Sequence, residues 1–60
     1  MFNPGSLVRC KFLSGIYTPL GLIIRKANVA EYEVLVMHGP AGPKRQYVET
    51  KNIEVINESR

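Results

Sequence analysis

Apolar residues fall along this chain in short runs that alternate with polar ones and are separated by Gly, Pro and Asn. Five segments stand out: SLVRCKF at 6–12, LGLIIRK at 20–26, EYEVLVM at 31–37, RQYVE at 45–49 and IEVI at 53–56. Each is short and rich in Val, Ile, Leu and Tyr, which is the length and composition of a β-strand. NPGS at 3–6, SGIYTP at 14–19, HGPAGP at 38–43 and the tight corner TKN at 50–52 separate them. No stretch keeps a spacing of three and four over ten residues, so no ordinary helix is predicted.

Alternation assigns the faces of these strands. Val8, Cys10 and Phe12 share one side of the first, Leu22 and Ile24 one side of the second, and Tyr32, Val34 and Val36 one side of the third. Gln46 and Val48 oppose Arg45, Tyr47 and Glu49, and Ile53 and Val55 oppose Glu54 and Ile56. The expected core is therefore Val8, Cys10, Leu22, Ile24, Val34, Val36, Val48, Ile53 and Val55.

Parity also sets the register of the hairpin between the second and third strands. Pairing Ile24 with Val34 puts Leu22 against Val36 inside, and Arg25 against Glu33 with Ile23 against Leu35 outside. Every cross-strand pair then matches in kind, as stable sheets require. An odd loop around Ala27 to Glu31 is needed, with Asn28 the residue best suited to a positive φ.

Five brief strands cannot build two separate packed sheets, so the economical fold is one bent antiparallel sheet closed on itself, which shelters the strand edges. A strand that begins with Pro19 and Gly21 suits such a fold. Gly21 relieves crowding at a sharp bend, and Pro19 sits where no ladder donor is needed.

A chain of 60 residues makes a single domain whose stability margin is thin. Its core is expected within 4–56, with a fraying tail at 57–60 that carries no apolar residue. The hydrophobic fraction of 45% and modest net charge argue against disorder. Eight Lys and Arg against five acidic residues, all Glu, give a net charge of +3. That permits an anionic partner without requiring one. Cys10 is the one cysteine, which excludes an internal disulfide and a cysteine-based zinc site. With no export signal and no apolar run near the ~18–20 residues of a membrane span, a reducing, cytoplasmic compartment and no membrane contact are expected.

The order PGSLVRC, LGLII, YEVLV, a Gly/Pro loop and YVETKNIEVI resembles the small SH3-like barrels. The "Gly, polar, Leu, Val, Arg" opening and the "Gly, apolar, Ile" of the second strand are similar to the KOW-type barrels of ribosomal proteins and transcription elongation factors. TKN before IEVI looks like the short 3-10 turn that leads into the last strand of that fold. Compact stand-alone proteins of similar pattern occur in tailed bacteriophages, and the E subunit of photosystem I has a comparable barrel. The resemblance covers residues 4–56 and implies an all-β, five-stranded SH3-like small barrel with a 3-10 turn before the last strand. It implies little about function, because this fold hosts many roles. In a phage setting it implies a small accessory protein in the cytoplasm of a bacterial host. Two departures narrow the choice. There is no Trp, and the 12–19 loop holds no acidic residue, so a proline-rich peptide groove is not expected. No dense basic cluster accompanies Arg25 and Lys26 as in the KOW pattern.

Candidate chemistry is sparse. His38, in a surface loop, and Cys10, facing inward, do not make a nucleophilic pair, and one His with scattered Glu offers no metal site. HGPAGP has two Gly, but a phosphate cradle opens a helix and carries Lys with Ser or Thr, so the segment reads as a stiffened turn. No catalytic residue, metal, cofactor or small-molecule substrate is expected. Two binding surfaces remain. Ile23, Leu35 and Met37 fall on the outward face, joined by Tyr47, and together form an apolar patch suited to a protein partner or to self-association. Folding of Phe2 or Tyr17 over that face would cover it. The alternative is a KOW-like nucleic-acid surface, with Arg9, Lys11, Arg25, Lys26, Lys44 and Arg45 on phosphates and Tyr17 and Tyr47 as stacking rings.

Overall fold

The structure, a computed structural model, describes residues 2–12 and 16–56. The tail at 57–60 and part of the 12–19 loop lie outside the described residues. Five strands form along the chain: β1 (Leu7–Cys10), β2 (Leu20–Lys26), β3 (Glu31–Met37), β4 (Pro43–Glu49) and β5 (Ile53–Val55). Short 3-10 turns at Gly39–Ala41 and Thr50–Asn52 precede β4 and β5. Each strand falls on one of the five runs read from the sequence, and TKN forms the 3-10 turn expected there.

All neighbouring strands are antiparallel, in the order β4-β3-β2-β1-β5. Consecutive strands β4 and β5 thus occupy opposite edges. In a flat sheet those edges would be about 19 Å apart, four spacings of ~4.8 Å. The four residue steps from Glu49 to Ile53 span at most about 14 Å. The sheet must therefore curl, which brings Val48 of one edge strand and Ile53 of the other into the same core cluster. Closure does not follow. β5 is short and pairs with β1, and the chain between β4 and β5 is used in a local turn, with Ile53 N–H donating to the Thr50 carbonyl. The expected hydrogen-bonded closure is absent, and the sheet is open. Its β4 edge begins with Pro43, Lys44 and Arg45, residues that discourage edge-to-edge pairing.

The core consists of Val8, Cys10, Ile23, Tyr32, Val34, Val36, Val48 and Ile53, with Phe2 and Phe12 packed against it. Phe2 meets Tyr32 edge to face at 5.2 Å between ring centroids. Val8, Cys10, Val34, Val36, Val48 and Ile53 are core residues as expected. Leu22 and Ile24 are not; they are half-buried, and Ile23 takes the inward position at 2% exposure. Val55, expected inside, is 52% exposed at the end of the edge strand.

The cause of the exchange in β2 is a bulge. Arg25 pairs with Glu33 as expected, but beyond it the register shifts, and Ile23 pairs with Val34 and Leu22 with Leu35. Ile24 is the extra residue, and every β2 side chain before it moves to the other face. The outward pair Arg25–Glu33 is right because it lies on the near side of the bulge. The loop is also odd, since Lys26 pairs with Tyr32 across residues 27–31. Asn28 does not take a positive φ, and no described residue other than Gly does. Its Oδ1 instead accepts from the backbone N–H groups of Ala30 and Glu31, at 2.9 and 3.0 Å, an Asx turn that needs no left-handed residue.

Gly21 lies where β2 crosses the core. A Cβ there would come within 2.7 Å of Val34 Cγ1 and 3.2 Å of Cys10 Sγ. Crowding does require a glycine, and its source is the packed interior.

Candidate binding surfaces

Two surfaces emerge. The first is the outer face of the sheet. Leu7 pairs with Leu22, and Leu22 with Leu35, while their neighbours Val8, Ile23, Val34 and Val36 are buried on the opposite side. The three leucines therefore form a half-buried row across β1, β2 and β3. On the same face, Leu20 and Met37 are exposed at 38% and 36%, and Tyr47 at 57%. Of the residues expected in this patch, Leu35, Met37 and Tyr47 are present, and Ile23 is not, because the bulge turns it into the core. Leu7, Leu20 and Leu22 join instead. Neither Phe2 nor Tyr17 folds over the patch: Phe2 packs on Tyr32, and Tyr17 stacks elsewhere.

Beside the leucine row lies the one buried charged residue among those described, Glu33. Arg25 Nε meets its Oε1 at 2.8 Å and Arg45 Nη1 meets its Oε2 at 3.2 Å. Glu33 pairs with Arg25 on β2 and Tyr47 on β4. Burial of its carboxylate is tolerable because each oxygen has a guanidinium partner.

The second surface is an open groove of 740 Å³ lined by Tyr17, His38, Ala41, Lys44, Arg45 and Gln46. Its position follows from the strands. Val34 pairs with Gln46, and Val36 with Lys44, so both β4 side chains lie on the core side of the sheet, where β4 runs past the packed interior. His38 follows β3 directly and is held by the turn that begins there, its N–H donating to the Gly42 carbonyl. Positive φ at Gly39 (+64°) and Gly42 (+83°) lets this turn form.

Tyr17 and His38 meet in this groove, and Phe12, packed against the core, adjoins both. Centroids are 6.0 Å apart for Phe12–Tyr17, 5.7 Å for Tyr17–His38 and 6.5 Å for Phe12–His38, with planes within 30°. The Tyr17 hydroxyl lies 2.6 Å from His38 Nδ1, and His38 Nε2 contacts Gln46 Oε1. One neutral tautomer meets both contacts: Tyr17 O–H donates to Nδ1, and Nε2–H donates to Gln46. His38 and Gln46 were not singled out as binding residues from the sequence. The legible signal was Gln46, a polar residue on the same face as Val48 that must find a polar partner.

The cationic candidates divide. Tyr17 and Lys44 meet in the groove, while Arg45, at its border, is held by Glu33 on the other face. Arg9 donates from Nη1 to the Thr18 carbonyl at 3.2 Å, Lys11 pairs with Glu54 at 3.7 Å, and Arg25 is held by Glu33. Lys26 lies at the far end of β2, opposite Tyr32. These positions are dispersed over the sheet. Cys10 is fully buried, and burial pushes its thiol above the ordinary cysteine value, so it is a neutral packing group and a poor nucleophile. Among the described residues, no three His, Cys, Asp or Glu side chains come together as a metal site. No helix there is long and apolar enough to cross a membrane. Comparison with protein-family models, with curated proteins and with solved structures finds no match for this chain.

Proposed function

We propose that this chain is a small, non-enzymatic SH3-like module that works by binding protein through the outer face of its sheet. What supports the SH3-like part is five short antiparallel strands in a curled sheet, with a 3-10 turn leading into the last one. The single observation that carries the binding role is the register of Leu7, Leu22 and Leu35, which aligns three leucines across three strands on the side away from the core. Leu20 and Met37 widen this into an apolar face of the kind that marks a protein contact, with Tyr47 at its margin beyond Glu33 and Arg45. The Arg25–Glu33–Arg45 cluster beside it supplies a polar rim that orients the partner. The setting implied by resemblance, an accessory protein of a tailed bacteriophage in its host's cytoplasm, belongs to the same proposal.

The test is association of the purified protein with itself, by sedimentation over a range of concentrations, together with partner capture from a host lysate. Leu35→Glu should weaken the contact by about thirtyfold or more, the loss typical of a central interface residue. A wild-type protein that stays monomeric and whose leucine row is never protected by any partner would sink this reading.

A second reading, nucleic-acid binding, draws on a different surface. The observation that favours it is the meeting of Tyr17 and Lys44 in one groove. The remaining basic candidates are too dispersed to track a duplex backbone.

A further inference from the structure

We propose that the Tyr17–His38 groove binds a nucleobase together with its adjoining phosphate, as presented by a single strand or by a free nucleotide. This rests on the nucleic-acid reading and gives it a ligand unit and a mode.

The groove offers two kinds of recognition side by side. One is a cluster of near-parallel rings, Phe12, Tyr17 and His38, set edge to edge in a triangle, of which Tyr17 is 48% exposed. An exposed ring held by its neighbours is a stacking platform already ordered before a base arrives, so little entropy is lost on binding. His38 is held at both ring nitrogens, by the Tyr17 hydroxyl and by Gln46. The other is positive charge. Lys44 lines the same groove, while Arg45, which also borders it, turns its guanidinium to Glu33 on the other face of the sheet; among the described residues no carboxylate lines the groove. Arg45 shares its charge with Glu33, while Lys44 makes no ion pair among the described residues. A planar apolar ring next to a cation selects a ligand that is planar at one end and anionic at the other. An apolar peptide would leave Lys44 unmatched, and a bare phosphate would leave the rings unused.

Duplex DNA or RNA does not satisfy this geometry, because its bases are stacked on one another and present no free ring face. A strand end, a loop or a mononucleotide does.

The experiment is a fluorescence-anisotropy titration of the full chain with a labelled ten-residue single strand (RNA and DNA) at 50 mM salt. A duplex of the same sequence and unlabelled AMP serve as competitors. Saturable single-strand binding is expected, weakening about two- to threefold between 50 and 200 mM salt, as for one phosphate contact at a slope of ~0.7. Tyr17→Ala should weaken binding about tenfold or more, through loss of stacking, and Lys44→Glu should also weaken it and flatten the salt dependence. Tyr17→Phe, which keeps the ring but gives up the contact with His38, should weaken binding clearly less than Tyr17→Ala does. Competition by AMP would assign the site to the free nucleotide as well, and its absence would assign it to the strand. Binding that favours the duplex, or that Tyr17→Ala leaves unchanged, overturns the groove proposal while sparing nucleic-acid binding by other residues. No saturable binding to any probe overturns both.

Discussion

The absence of one methyl group at Gly21 lets β2 lie directly on Val34 and Cys10. Its φ is not in the left-handed range, so any substitution there acts through packing alone. Gly21→Ala must displace Val34 Cγ1, which lies 2.7 Å from the added atom, and should cost about 1–3 kcal/mol, as overpacking of a dense core does. Urea unfolding checks this through a lower midpoint at unchanged slope. Cys10 gives a pH-dependent prediction. Its thiol pKa is raised by burial, so the folded state holds its proton after the unfolded chain has lost it. Stability should then be full below the unfolded thiol's value, about 8.5, and decline as pH rises above it toward the raised folded value. Denaturation midpoints from pH 7 to 10 should show that decline in the wild type, and Cys10→Val should lack the part due to the thiol.

Among the elements, β2 decides most of the surface. Its inserted residue, Ile24, exchanges the faces of Leu22 and Ile23 and so moves a leucine into the outer row and an isoleucine into the core. Alternation alone cannot locate such an insertion, because LGLIIRK contains four apolar residues that fill either face equally well. What located it was the neighbouring structure: Val34 needs a large inward partner on one side, and Glu33 needs Arg25 on the other. The adjoining loop shows a similar substitution of means. Asn28 makes the turn through its side chain, accepting two backbone N–H groups. Thr50 then ties this loop to the last 3-10 turn, its N–H and hydroxyl both donating to the Ala30 carbonyl, at 2.8 and 3.0 Å. Asn28→Ala should cost about 0.5–1 kcal/mol, near the lower part of the range for losing a side-chain cap. Faster hydrogen exchange at the Ala30 and Glu31 amides would be its signature, and unchanged exchange there would contradict the role.

For the whole molecule, a sheet that curls without closing has one packed side and one that carries a half-buried apolar row. A small core leaves little margin, so a test of the outer face must not be confused with a loss of folding. Leu20→Lys with Met37→Lys changes two exposed positions and should leave stability within about 0.5 kcal/mol, yet remove partner or self-contact as Leu35→Glu does. Equal loss of folding and contact in that double variant would show that these residues serve the fold. The sequence by itself determined the strand segments, the tight corner at 50–52, the Val8–Cys10 and Val34–Val36 core faces and the Arg25–Glu33 pair. These follow from local alternation, turn chemistry and charge matching, which act over a few residues. Tertiary structure alone decided the bulge at Ile24, the open edges of the sheet and the meeting of Tyr17, His38, Lys44 and Gln46. Each depends on how distant segments share one small interior, and no periodicity within a single strand records that.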